Sequence, residues 1–468
     1  MKKTITLLAL LLVSLTTMAQ TTTEKLALAY QQVAFNIFNK LVEKEEMSDN
    51  ICFSPLSAQI ALSMLQNGAV GNTLTQMQQA LGTAGFSPDE VNQYNQSMIQ
   101  KLTERPEFHY YENDWMSKEE QLKQFDALYP KCEIANALWN RPDVEVVSDF
   151  ADCLKTYYEA DAAPVAFYTQ EGIDYVNGWV NEKTHGLIPS IYDEPQDEEL
   201  ALVLVNALYL KAAWAIPFWK ELTKTEPFYL SDGTKVQADM MFVSDPNFCV
   251  SETGGFRCVT IPYNNRFSMT VFVPNEGYEL PALTCENWKA AIDSYKASWY
   301  AESRVGVNLK FPKFEFDGKY NLLPILQSLG MKDVFFVGDF TKMCEDNKMV
   351  DAVYQMDKIK VDEEGTEAAA VTVIEASESI EEPPVKIIDF FVDRPFYFTI
   401  ENLSTNTILF MGKVMNPSTG QSGNATSIQD IPTSHPGNSL IYDLSGRQLK
   451  QIPAHGIYIQ NGKKFFRR

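Results

Sequence analysis

The chain has 468 residues, 45% of them hydrophobic and 21% charged, which is enough apolar material for one large core or two smaller ones. Its 39 basic and 61 acidic residues give a formal net charge of -22, a surface that repels nucleic acid and anionic membranes and so removes both from the expected partners. Seven cysteines without a CxxC pair argue against a zinc site and against a disulfide framework; only Cys249 and Cys258, flanking the Gly254 and Gly255 turn, are placed to face each other across a hairpin.

Residues 1–19 read as a secretory signal: Lys2 and Lys3, an apolar run from Leu7 to Leu15, then the small-residue site Thr17, Met18, Ala19. The run is too short to span a bilayer, so a soluble, exported protein without a membrane span is expected, either secreted or periplasmic. From Glu24 to Glu46 the apolar residues recur with helical period, and a second helix is expected after Ser54 and Pro55. A near-continuous apolar run from Leu200 to Leu210 reads as a buried central strand. Further strands are expected at Phe248 to Val250, Met269 to Val273 and Val305 to Phe311, and a helix over Tyr320 to Leu329 ended by Gly330. Helices first and strands later, without alternation, point to an α+β fold.

The most informative segment runs from Glu363 through Glu364, Gly365, Thr366, Glu367, Ala368, Ala369 and Ala370 to Val371. After the glycine, Thr366, Ala368, Ala370, Thr372, Ile374 and Ala376 occupy every second position, so in an extended strand these small or apolar side chains share one face, with Glu367 and Glu375 on the other. The same composition also suits a surface helix. Glu381, Glu382, Pro383 and Pro384 break any regular element, and the strand pattern of Phe396, Phe398 and Ile400 and the apolar run Ile408 to Met411 follow; a loop tethered to strands at both ends fits best. Residues 418–438 have a linker composition, and 439–468 carry short alternating runs between Ser-Gly and Asn-Gly turns, a small β-hairpin unit.

Four histidines, His109, His185, His435 and His455, with the last two in the linker and tail, leave little from which to build a catalytic triad; no GxSxG, HExxH or P-loop motif occurs. No catalytic residue, metal site or cofactor is therefore expected, and the chain does not read as an enzyme. His185 marks the C-terminal end of a helix.

Five ordered stretches resemble the serpin family over Leu26 to Pro417: Asn50 with Phe53 to Ser57; Gly68 through Leu81; Asn177, Trp179, Val180, Thr184, Gly186 and Ile188; Val205 to Lys211 with Trp214 and Phe218; and Phe396 with Phe410 to Val414, Asn416 and Pro417. The resemblance implies one domain over 20–417 with three β-sheets, about nine helices and an exposed reactive-centre loop at about 363–388. A protease attacks that loop as substrate and is trapped as the cleaved loop inserts into the main sheet. It implies a hinge at Glu363, Gly365, Thr366, Glu367, Ala368, Ala369 and Ala370, a shutter formed by Ser54, Ser57, Asn206 and Gln355, and a breach at Trp214; Gln355 stands where animal members commonly have histidine. Counting along the loop puts the scissile bond between Ser379 and Ile380, with Glu378 as the alternative. Without Arg or Lys nearby, the target is expected to be an elastase-like, glutamate-specific or cysteine protease rather than a trypsin-like one. The resemblance also leaves open a non-inhibitory member that is cleaved without trapping or that binds a partner, and it implies a monomer. Residues 439–468 are similar to the sorting tails of bacterial type IX secretion substrates, which implies a bacterial protein carried through or onto the outer membrane.

Overall fold

The computed structural model of the chain describes residues 21–112, 116–198, 200–245, 248–300, 305–332, 334–335, 338–344, 353–366 and 386–418, and the backbone of four short strands between 441 and 467. The chain divides into two compact units, Met1–Gly423 and Asn424–Arg468.

The first unit opens with helix α1 (Thr22–Lys44). Thr21 and Glu24 close a reciprocal capping box at its start, and Leu26, Val33, Ile37, Phe38 and Leu41 bury one face. Strand β1 (Ile51–Phe53) leads into α2 (Pro55–Gln66), where the Ser54 hydroxyl accepts from the Ser57 N–H and Pro55 occupies the first turn, which lacks partners for its N–H groups in any case. Nearly every residue of α2 is buried, so this helix is a core element lying beneath a sheet. Helices α3 (Gly71–Ala80), α4 (Pro88–Thr103), α5 (Lys118–Leu128), α6 (Ser148–Tyr158), α7 (Gln170–Lys183), α8 (Cys285–Ser298) and α9 (Leu323–Ser328) bring the number among the described residues to nine.

Three sheets complete this unit. The central one runs β11 (Phe314–Asn321), β12 (Tyr354–Val361), β13 (Gly365–Thr366), β4 (Leu202–Ala213), β2 (Lys131–Asn140) and β3 (Asp161–Pro164). A second, also six-stranded, orders β1, β16 (Thr407–Val414), β15 (Phe396–Asn402), β9 (Phe267–Pro274), β8 (Phe256–Pro262) and β7 (Cys249–Thr253). A third holds β14 (Ile387–Phe391), β10 (Gly306–Pro312), β6 (Lys235–Asp245) and β5 (Lys224–Tyr229). Strands β15 and β16 are buried at every position, as strands covered on both faces must be. The second unit is a four-stranded sheet ordered β18 (Gln448–Leu449), β17 (Ile441–Tyr442), β19 (Gly456–Gln460) and β20 (Lys463–Arg467).

The expected helix over Tyr320 to Leu329 is corrected. Tyr320 and Asn321 end strand β11, whose burial alternates along its length, and only Leu323–Ser328 is helical, with Pro324 in its first turn. The alternation of Phe314, Phe316, Gly318 and Tyr320 is a period-two signal that the helical reading missed. The expected facing of Cys249 and Cys258 is also corrected: Cys249 lies opposite Thr260 and Cys258 opposite Ser251, a two-residue offset, and all seven cysteines are free. The run beginning at Leu200 becomes a strand only at Leu202 but continues to Ala213, and the strand expected at Phe248 to Val250 is β7.

Gly412 shows why one motif residue cannot change. A Cβ there would sit 2.1 Å from the Phe398 ring and 2.8 Å from the Ile51 carbonyl oxygen, between two neighbouring strands. Gly412→Ala is expected to cost about 1 to 3 kcal/mol through overpacking, read as a lowered thermal unfolding midpoint.

Candidate functional site

Strands β4 and β12 each have one satisfied edge. Strand β4 pairs with β2 from Leu202 to Lys211, and β12 with β11 from Tyr354 to Val361. Their other edges face each other, and among the described residues the two strands pair with each other nowhere. Only the two residues of β13 join them, at one end: Gly365 lies opposite Ala213, and Thr366 opposite Ala212 on one side and Val361 on the other. Below β13 a cavity of about 430 Å³ opens beside the two edges, bordered by Leu202 to Ala207 of β4, Gln355 and Met356 of β12, and Ser57, Leu62 and Leu65 of α2. Backbone N–H and C=O groups along such edges are obligatory hydrogen-bonding groups, so a slot of this kind is a template for one more strand.

At the β13 end the contacts are dense. The Trp214 indole stacks on Tyr263 at 4.1 Å with the planes 8° apart, and its Nε1 donates to the Asp362 carbonyl at 2.9 Å. The backbone N–H groups of Trp214 and Phe218 donate to the carbonyls of Glu364 and Glu363, both at 2.9 Å. The Glu363 carboxylate, itself buried, accepts from the Thr223 hydroxyl at 2.8 Å and pairs with Lys313 at 2.9 Å. Burial raises its pKa, but the Lys313 and Thr223 donors, a backbone hydrogen bond and the charge of Lys313 together leave the carboxyl below its ordinary value. Glu364 pairs with Lys220. Thr366 is buried, its hydroxyl 2.5 Å from that of Tyr263. Gly365 permits the close approach: a Cβ there would lie 2.0 Å from the Ala212 carbonyl oxygen. Of the expected hinge, Gly365 and Thr366 are thus built into the sheet and Glu363 is buried beside it, whereas Glu367, Ala368, Ala369 and Ala370, like Glu378, Ser379 and Ile380, lie outside the described residues.

Midway along the slot, Ser57, Asn206 and Gln355 border the cavity and Ser54 bonds to Ser57 and Gln355, together with Asp357, which sequence reading missed. Gln355 Nε2 donates to the Ser54 carbonyl and to Asp357 Oδ2, both at 2.7 Å, and the Ser54 N–H donates to the same carboxylate oxygen at 3.1 Å. Asp357 is 4% exposed and has no cationic partner among the described residues. Burial pushes its carboxyl up to about 7, with the Ser54 and Gln355 donors pulling the other way. The signal was available in the sequence, because Asp357 falls in the inward set with Gln355, Ile359 and Val361. On β4, Asn206 Nδ2 donates to Asn136 Oδ1 at 2.7 Å. Two amide oxygens, Asn206 Oδ1 and Gln355 Oε1, are buried without a hydrogen-bond partner among the described residues, one on each side of the cavity. Orphaned acceptors of this kind are costly.

Among the described residues no group of three His, Cys, Asp or Glu side chains is placed to hold a metal ion, and no helix is long and apolar enough to cross a membrane. His185, at φ 52° just past the end of α7, lies 2.5 Å from the Glu133 carboxylate and packs on Tyr209.

Because the Asp357 pKa is higher folded than its ordinary 3.8, its contribution to stability is complete below about pH 4 and is lost as pH rises through 7. Asp357→Asn keeps an acceptor for Ser54 and Gln355 and is expected to remove this slope. The variant should be more stable than the parent at pH 8 by about 2 to 4 kcal/mol, with the gap closing by pH 4, in thermal melts taken across that range.

The serpin family profile, described as serine protease inhibitor, matches residues 28–417. Iripin-8 from Ixodes ricinus is 31% identical over 400 residues, covering 83% of this chain and 93% of that protein. Among solved structures, the thermophilic serpin Tengpin in its native state superposes with a TM-score of 0.68 at 28% identity, covering 83% of this chain and 94% of the other. Human thyroxine-binding globulin superposes with a TM-score of 0.66 at 26% identity, covering 85% of this chain and all of the other.

Proposed function

The chain belongs to the serpin family, and on that footing we propose that it inhibits proteases as a suicide substrate, with the slot between β4 and β12 as the seat of the cleaved loop. The protease's nucleophile attacks the carbonyl carbon at Ser379. The Ser379–Ile380 peptide bond breaks, the Ile380 amine leaves with a proton, and an ester or thioester joins Ser379 to the protease. Insertion of the residues after Thr366 then carries the acyl-enzyme along the sheet before water can hydrolyse it.

The observation that carries this reading is the slot itself, with two edges and two buried amide oxygens that have no hydrogen-bond partner among the described residues. Continuing the register of β13 sets Ala368 between Leu210 and Ile359, Ala370 between Leu208 and Asp357, and Thr372 between Asn206 and Gln355. The inward positions would receive small side chains, and the one hydroxyl among them would arrive where an acceptor lacks a donor. Two new ladders of about a dozen bonds in all, at roughly 1 kcal/mol net each, release on the order of 10 to 20 kcal/mol. That equals or exceeds the roughly 5 to 15 kcal/mol that holds an ordinary domain together, so it suffices to drive a large rearrangement.

The loop from 361 to 385 contains no Arg or Lys. The target is accordingly an elastase-like, glutamate-specific or cysteine protease, whose primary pocket accepts a small or acidic residue. Residues 1–19 as an export signal and 439–468 as a sorting tail belong to the same proposal, and the intact mass of the protein recovered from its native host checks both ends.

The parent protein is expected to form an SDS-resistant adduct with an elastase or a glutamate-specific protease and none with trypsin. Ser379→Arg should convert it into a trap for trypsin, consumed about one to one. Cleavage at the new arginine with neither adduct nor a rise in thermal midpoint would make the protein a substrate or binding protein instead.

A further inference from the structure

The cavity beside the slot reaches both faces of the central sheet. Side chains alternate along β4, yet every residue from Leu202 to Ala207 borders it. On one side it is walled by Ser57, Leu62 and Leu65 of α2, and on the other by Val180 of α7 with Ile188 and Ile191 of the segment that follows. That segment is fastened at two points. The Asn177 side chain donates to the Tyr192 carbonyl at 2.7 Å and accepts from the N–H groups of Ile191 and Tyr192 at 2.9 and 3.1 Å. From β11, on the far side of the slot, Lys319 Nζ donates to the Ile191 carbonyl at 3.0 Å.

The wall is largely aliphatic, and its two unmatched polar atoms are both acceptors. Gln355, 7% exposed, commits its amide nitrogen to the Ser54 carbonyl and to Asp357, and Asn206 commits its own to Asn136. What is left on each is a buried carbonyl oxygen, Oε1 and Oδ1, with no donor among the described residues. The one cation of the wall, Lys319, is engaged by Ile191, and the acid Asp197 stands exposed at the rim. A volume of about 430 Å³ falls in the range of about 300 to 1,000 Å³ that holds small ligands.

We propose that this cavity is a binding site for a neutral apolar molecule with a hydroxyl group, of the class of medium-chain alcohols, and that its occupant keeps a further strand out of the slot. The alkyl chain lies among Leu62, Leu65, Ile188 and Ile191, and the hydroxyl donates to Gln355 Oε1 or Asn206 Oδ1. A donor that reaches a buried, unmatched acceptor removes the penalty of leaving it unmatched, so affinity depends on the hydroxyl and not on the alkyl chain alone. A carboxylate has no proton to donate; it would set its charge against two carbonyl oxygens and Asp197, and is excluded. Binding stands apart from the inhibitor reading, whereas the effect on insertion rests on it.

Decanol, decyl methyl ether and decanoate share a chain and differ in the polar end, which makes them the probes. Calorimetric titration of the uncleaved protein should show decanol binding about five- to fiftyfold more tightly than the ether, with decanoate weakest. Decanol should also raise the thermal midpoint, because it binds the folded form. Asn206→Leu should narrow the difference between alcohol and ether, and Ala61→Leu, which fills the cavity from α2, should weaken decanol by about tenfold or more. The melts of the unliganded variants check their folding. In the Ser379→Arg background, saturating decanol should raise the number of inhibitor molecules consumed per trypsin adduct by about twofold or more. No binding, equal binding of alcohol and ether, tightest binding of decanoate, or an Ala61→Leu protein that binds decanol as before overturns the site. Undiminished trapping at saturating decanol overturns it too, since an occupied slot cannot admit a strand. Failure of the unliganded Ser379→Arg protein to trap trypsin overturns the insertion reading instead, and the titrations alone then decide the ligand site.

Discussion

The structure depends on an incomplete hydrogen-bond ladder. Strands β4 and β12 lie in one sheet with facing edges that, among the described residues, are joined only by Gly365 and Thr366 at one end. Apart from the cavity beside this gap, its surroundings are closed: α2 is buried almost throughout beneath it, and Trp214, Tyr263 and Phe218 cover its upper end with stacked and edge-on rings. A chain able to bury this much apolar surface would ordinarily close its ladders. Holding one open costs free energy, and that cost is the reservoir on which the proposed mechanism draws.

Charged groups around the gap differ in kind along its length. At the upper end Glu363 is matched by Lys313 and Thr223, a satisfied pair that ties the start of the loop to β10 and β11 through the residue between them. Midway, Asp357 is buried with amide and backbone donors but no cation, which leaves its ionisation poised near neutrality. Gln355 itself does not titrate, but the carboxyl two residues further along the same face does. Glu401 shows the same pattern in the second sheet. It is fully buried, accepts from Ser268, Thr270, Thr399 and Trp288, and burial raises it to about 7.

The sequence was most legible where a motif and a period agreed. The cap at Ser54, the proline after it and the apolar run of α2 located that helix, and the glycine at 365 marked the short strand β13. It was least legible where a pattern admits two periods or where pairing decides the outcome. Phe314 to Tyr320 alternates as a strand, but the leucines that follow pulled the reading toward a helix too long by several residues. Cys249 and Cys258 straddle a turn in sequence, yet the offset of their strands can be known only from the register. The partnership of Asp357 with Ser54 joins residues 303 positions apart, and no local pattern carries that information.

The strands beyond the loop give the molecule a further property. Strand β14 pairs with β10, β15 lies between β9 and β16, and β16 pairs with β1 at the opposite end of the chain, while none of the seven cysteines forms a bridge. A cut anywhere between 367 and 385 therefore yields two polypeptides that stay woven together without a covalent stitch, in sheets other than the one that would expand. The severed protein is in effect a heterodimer of a large and a small subunit, and its halves part only when the whole is denatured.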